Sequence, residues 1–222
     1  MNLLGSGALP PGTPHSTDLA LANQLHRGDL PANVTFQGAV AVDTETMGLS
    51  LQRDRLCLVQ LSGGDGNAHL VQITPGTPAP RLAAVLSDPA ILKIFHFARF
   101  DLGMIQKHLN VRCAPVYCTR TASKLVRTNT DKHGLKDLCK ELLGVEISKQ
   151  QQTSDWGAPT LSHEQIDYAS ADVLYLHRLK GEMDKLLARE GRGALAEACF
   201  NFLPDRAALD LAGWPDEDIF AH

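Results

Sequence analysis

The chain has 222 residues, 44% of them hydrophobic and 21% charged, a composition that fits one sizeable core and leaves little room for a second full domain. No run approaches the roughly 18 consecutive apolar residues of a membrane span, so no membrane partner is expected. The net charge of −4 argues against a general nucleic-acid coating protein, but not against a nuclease that grips its substrate through metal ions and a local basic patch.

In chain order, the start is rich in Gly, Pro and Ser and lacks a basic n-region and an apolar h-region, so residues 1–29 are expected to form a flexible extension. Residues 39–43, 55–61 and 68–73 read as short strands separated by turn-rich segments, notably Ser62-Gly63-Gly64-Asp65-Gly66-Asn67, and imply an antiparallel meander. A helical pattern over 80–86, a strand at 91–95, a helix over 98–109, a short strand at 116–117 and a helix over 119–126 follow. Strands first paired as hairpins and then joined through helices imply an α/β fold with a mixed central sheet of about five strands flanked by helices. Residues 134–143 are amphipathic and end at Gly144, a C-cap residue. A loop then leads to a long helix expected over 163–189, with Ser162 and Gln165 at capping-box spacing. The remainder, 191–222, is expected as a short extension of one or two helices broken by Pro204 and Pro215. The five cysteines, Cys57, Cys113, Cys118, Cys139 and Cys199, form no C-x-x-C pair, which argues against a disulfide framework or zinc site and favours a reducing cytoplasm.

The chemistry resides in acids. Val42-Asp43-Thr44-Glu45 ends an apolar strand, and because a strand alternates faces, Asp43 and Glu45 point the same way. Two such carboxylates repel unless a cation lies between them, and hard oxygen donors select Mg²⁺ or Mn²⁺. The alternative is a strand that runs into a solvated acidic turn. Asp101 falls just inside a helix, where an acid also favours the helix N-terminus. Tyr168 and Asp172 are four apart on the long helix and share one face, as they would on any amphipathic helix with a half-buried tyrosine. Together the three elements supply four carboxylates and a phenol, enough to bind two divalent ions about 3.5–4 Å apart for phosphodiester hydrolysis.

This order resembles the three exonuclease motifs of the DEDD superfamily, whose fold is ribonuclease H-like. Tyr168 four residues before Asp172, with Asp167 rather than His five before it, is similar to the DEDDy branch that includes ribonuclease D. The stretches Ala41-Val42-Asp43-Thr44-Glu45-Thr46, Phe95-His96-Phe97-Ala98-Arg99-Phe100-Asp101-Leu102 and Lys149-Gln150-Gln151-Gln152-Thr153-Ser154-Asp155-Trp156 resemble most closely the compact bacterial nanoRNase C group. The resemblance implies an exonuclease domain over 30–190. It implies that Asp43, Glu45 and Asp172 hold the metal carrying the attacking water, that Asp43 bridges to a second ion supported by Asp101, and that Tyr168 orients the water and helps accept its proton. It further implies a 3'-5' exoribonuclease releasing nucleoside 5'-monophosphates from dinucleotides and other short single-stranded RNA, with DNA as a further substrate, and a homo-oligomeric ring, an octamer. Ribonuclease D continues into helical nucleic-acid-binding domains, and residues 191–222 offer no equivalent, which favours short substrates.

Thr46, Met47 and Leu49 follow the first motif, and the last two are candidates for an apolar wedge against the terminal base, or for packing in the turn. His96 and Phe97 are candidates to meet the sugar or base, with a core role for Phe97 the alternative. Among the basic residues of 120–140, Lys132 and His133 are the candidates for substrate phosphate; a solvated helix face is the alternative. Asp155 and Trp156 match a family stretch without a defined role. Trimming of tRNA 3' ends, as by ribonuclease D, and a catalytically silent RNA-binding scaffold on the same fold remain the competing functions.

Overall fold

A computed structural model describes residues 23–148 and 150–221. Residues 1–22, most of the expected flexible extension, lie outside the described residues, as does Lys149.

Six strands form one mixed sheet in the order β1-β4-β3-β2-β5-β6. The strands β2 (Ala39–Thr46), β3 (Leu56–Ser62) and β4 (Ala68–Gln72) make the expected antiparallel meander, closed by Gly64 and Gly66 in the left-handed conformation. β5 (Leu92–Phe95) and β6 (Val116–Cys118) then add in parallel on the β2 side. Every residue of β3 is buried, so the sheet centre is covered on both faces.

Parts of the extension are built structure. Asn23–Arg27 forms β1, parallel to β4, and Asp29 accepts the backbone N–H groups of Arg81 and Leu82 at 3.0 and 2.9 Å. Those bonds cap α1 (Pro80–Ser87), which has no capping side chain of its own. The segment Asn-Gln-Leu-His-Arg lacks apolar alternation, and pairing with β4 supplies what its own pattern does not.

Helices α2 (Arg99–Leu109) and α3 (Thr119–Val126) follow β5 and β6. The predicted helix over 134–143 is a short α4 (Leu135–Leu138) running into a π-helical turn, Cys139–Leu143, which Gly144 terminates at φ +68°. The single helix expected over 163–189 is two, α5 (His163–Leu174) and α6 (Leu176–Arg189), broken at Tyr175 beside His177, whose Nε2 lies 3.1 Å from the Ser62 carbonyl. Conversely, Pro204 does not break the C-terminal segment, because Gly193–Ala212 is one continuous α7. Pro204 is buried and α7 packs along α2, so tertiary contacts outweigh the lost helical hydrogen bond. No described helix is long and apolar enough to cross a membrane.

Candidate active site

Strand β2 delivers the first two acids. Asp43 stands opposite Gln60 of β3 in the register, and Gln60 Nε2 donates to Asp43 Oδ2 at 3.2 Å. The register shifts between Glu45 and Thr46, a bulge that ends regular pairing where the motif ends. Helix α5 crosses this part of the sheet. Its start is held by the expected capping box, in which Gln165 N–H donates to Ser162 Oγ at 3.2 Å and Ser162 N–H to Gln165 Oε1 at 2.9 Å. Buried Ala169 and Ser170 let the helix lie close, which brings Asp172 over β2.

The outcome is a cluster in which Asp43, Glu45 and Asp172 place ligand oxygens within 4.8 Å of one another. Burial and mutual repulsion push Asp43 well above the usual carboxylate range and Glu45 up to about 9. Three half-buried oxygen donors, of which Asp43 and Glu45 are held against ionisation, are matched to a hard divalent cation, which removes the repulsion. Asp101 does not join this trio. It is buried, its Oδ1 accepts from Thr44 Oγ1 at 2.5 Å, and burial raises it to about 7. It still faces the same cavity. Burial and the charges of Asp172, Glu45 and Asp43 raise the Tyr168 phenol above its ordinary value, and Tyr168 donates to Asp172.

All five residues line one cavity of about 720 Å³. Thr46, Met47, Leu49, His96 and Phe97 line it as well. Met47 and Leu49 are exposed at 50% and 86%, and the Met47 thioether reaches the loop at Gly157. Thr46 Oγ1 instead donates to the Gly48 carbonyl at 2.6 Å and shapes that turn. His96 Nδ1 lies 2.9 Å from Thr119 Oγ1, which ties the second motif to α3. Phe97 is not a core residue: it is half exposed, with φ +72°, a left-handed conformation that a bulky residue adopts at a cost.

Lys132 and His133 do not line the cavity. Arg127 donates to the Lys132 carbonyl at 2.7 Å and His133 Nδ1 lies 2.9 Å from Ser123 Oγ, so their loop is folded against α3. Among the described residues, the cations that do line it are Arg120 and Lys136. Arg120 sits over the Phe97 ring at 4.5 Å, and among the described residues its buried Nε has no partner. Both belong to the basic segment read from sequence, but only its folding shows which charges face inward. Trp156 is buried with its ring 6.0 Å from that of Tyr168, while Asp155 accepts from Gly157 N–H and from Gln165 Nε2. This pair organises the loop that walls the cavity.

The 3'-5' exonuclease family model matches residues 20–188. Ribonuclease D of Gluconacetobacter diazotrophicus is 36% identical over 153 residues, covering 69% of this chain and 39% of that protein. The chain thus spans about two fifths of the length of that curated relative. Among solved structures, Brucella melitensis NrnC bound to pGG superposes with a TM-score of 0.88 at 54% identity, covering 91% of this chain and 100% of that one. The same protein with bound Mg²⁺ gives 0.86 at 53% identity, again covering 91% and 100%. The chain belongs to the 3'-5' exonuclease family, as a member of the ribonuclease D type close to NrnC.

Proposed function

We propose that this protein is a metal-dependent 3'-5' exoribonuclease of the DEDDy type that hydrolyses short oligoribonucleotides, dinucleotides among them, to nucleoside 5'-monophosphates. The observation that carries this reading is the Asp43, Glu45 and Asp172 cluster in a cavity of about 720 Å³. Sites for small ligands span roughly 300–1,000 Å³, a scale that suits a short oligonucleotide better than a folded RNA. The relatedness to NrnC, solved with Mg²⁺ and with pGG, supports the same metal and substrate class.

In this reading Asp43, Glu45 and Asp172 hold one divalent ion, and Asp43 with Asp101 a second. Bound there, Mg²⁺ or Mn²⁺ supplies Lewis acidity and a water of lowered pKa. Tyr168, hydrogen-bonded to Asp172, would orient the attacking water and help accept its proton. Arg120 and Lys136, which line the cavity, would offset phosphate charge, while the Phe97 ring and the exposed Met47 and Leu49 would receive bases. His96 and Thr46 shape the wall and the turn beside the first two motifs. Assembly into a ring of identical copies, an octamer, belongs to the same proposal. Apolar Phe202, Trp214, Ile219 and Phe220 stand exposed at the C-terminal end, although Phe200 and Ala207 fold back onto the core. The free cysteines, four of them buried, fit a cytoplasmic setting.

The test compares Mg²⁺- and Mn²⁺-dependent hydrolysis of a dinucleotide, a longer RNA single strand, a short DNA strand and a tRNA precursor, with Asp101→Ala as control. Hydrolysis of the dinucleotide at the highest kcat/KM is expected. Rapid trimming of the tRNA precursor beside an inert dinucleotide overturns the short-substrate assignment, and no hydrolysis of any substrate with either metal overturns the enzyme.

A further inference from the structure

Helix α2 starts under unusual conditions. It follows Phe97 at φ +72°, and its N-cap, Ala98, makes no side-chain capping bond. Nothing in its own sequence fixes the direction of the first turn, which carries Asp101. The constraint arrives from the other end of the chain. Arg99, the first residue of α2, donates from Nε to Asp210 Oδ2 at 2.6 Å and from Nη2 to Asp210 Oδ1 at 2.7 Å, a bidentate pair. Asp210, on α7, is 2% exposed and also accepts from Arg206 Nε at 3.0 Å and Nη2 at 2.6 Å. Its backbone carbonyl accepts from Gln52 Nε2 at 3.5 Å, so one residue touches both α2 and the loop that follows the first motif. Lys107 of α2 ties the same loop by donating to the carbonyls of Leu51 and Gln52 at 2.6 and 2.7 Å.

We propose that Asp210 is a positioning residue for the exonuclease site: through Arg99 it holds the first turn of α2 so that Asp101 meets the cavity at the angle its metal requires. A buried carboxylate with two guanidiniums is a costly arrangement whose strict geometry suits register-setting better than bulk stability. On this account α7 is not an appendage to the nuclease core but the part that completes its second motif. The proposal rests on the functional reading above.

The test uses full-length Asp210→Asn, Arg99→Lys as a milder break of the same pair, and Phe200→Leu as a packing change on the same helix. Phe200 packs against Tyr117 of β6, with ring centroids 4.4 Å apart and the rings tilted by 39°. Mn²⁺ binding is measured by titration calorimetry, and hydrolysis of a dinucleotide as a function of Mn²⁺. Asp210→Asn is expected to raise the half-saturating Mn²⁺ concentration and to lower kcat, each by about tenfold, with KM within about twofold. Phe200→Leu lowers the melting temperature but keeps the wild-type Mn²⁺ response. In an Asp101→Ala background, adding Asp210→Asn changes Mn²⁺ binding by less than about twofold, because the two act through one group. A wild-type Mn²⁺ response in Asp210→Asn, or full additivity with Asp101→Ala, overturns the proposal. Should Asp210→Asn not fold, Arg99→Lys decides by the same criteria, including its combination with Asp101→Ala. A wild-type protein that binds Mn²⁺ yet cleaves nothing overturns the exonuclease reading, and the calorimetric comparison still judges the clamp.

Discussion

Thr44 Oγ1 donates to Asp101 Oδ1 at 2.5 Å, joining the strand of the first motif to the helix of the second. Thr44 lies between Asp43 and Glu45, and by strand alternation it reaches the opposite side from theirs. One tripeptide therefore serves two helices: its acids face Asp172, and its hydroxyl restrains Asp101. The bond favours ionised Asp101 against the burial that raises it to about 7. In Thr44→Val the donor is gone, the Asp101 pKa rises further, and the acid limb of the pH–rate profile moves to higher pH. Activity near pH 7 should fall by about tenfold, the equivalent of one lost hydrogen bond to a charged group, and recover partly as pH rises. An unmoved acid limb contradicts this.

The carboxylate cluster makes metal stabilisation depend on pH. Glu45, held at about 9 in the fold, keeps a proton that an unfolded chain loses near 4.5. The folded state then binds more protons between those values, so metal-free stability declines as pH rises through that window. A divalent ion needs the ionised carboxylates and offsets the loss. The gain in melting temperature on adding Mg²⁺ should increase from pH 6 to pH 9. Taking the difference at each pH cancels groups remote from the site, such as His26 and His69, whose lowered pKa values act in both samples. A gain independent of pH, or its persistence in a variant with both Asp43→Asn and Glu45→Gln, is the contrary result.

Arg120 over the Phe97 ring is a preset contact rather than a stability device. An exposed cation–π pair contributes only about 0.5–1 kcal/mol, comparable to the cost of holding a non-glycine residue at positive φ. Phe97→Gly should therefore leave the melting temperature within a few degrees of wild type or raise it, while KM rises. Arg120→Ala should raise KM by about tenfold, about 1.4 kcal/mol of binding, with a smaller effect on kcat. A large melting-temperature loss in Phe97→Gly with unchanged KM assigns the ring to structure instead.

Gly157 marks where the loop of Trp156 meets the turn of Met47. A Cβ at this position would collide with Met47 Sδ and crowd Arg55 Nη2, which donates to the Gly157 carbonyl at 3.2 Å. The thioether end is flexible, so Gly157→Ala should fold with a stability change below about 1 kcal/mol but displace Met47. The expected signature is a raised KM for dinucleotide that Met47→Ala in the same chain partly reverses. Absence of any change in KM detaches Met47 from substrate.

Several features were readable from residue order because they depend on local periodicity. The i, i+2 carboxylates needed only a strand, the Tyr168 and Asp172 pair only a helix, and the Ser162 and Gln165 capping box only its spacing. Gly144 and the Gly-rich hairpin followed from the conformations glycine alone adopts freely. Other features escaped because neighbours far along the chain create them. β1 exists through pairing with β4, α7 runs through Pro204 because it is packed on α2, and Lys132 and His133 were chosen by charge in a segment whose folding turns Arg120 and Lys136 inward.

Residue identity and spacing alone thus specify the reagents: three acids that can converge on a cation, a fourth on a neighbouring helix, a phenol, and a mixed sheet to carry them. Spacing cannot specify direction across elements that are remote in sequence. That Asp101 leans on Thr44 rather than joining the trio, that burial and three carboxylates raise the Tyr168 phenol, and that Asp210 grips Arg99 from 111 residues away all arise from packing. Burial sets the protonation state and the bidentate pair sets the angle, and both come into being only when the sheet and helices close around one another.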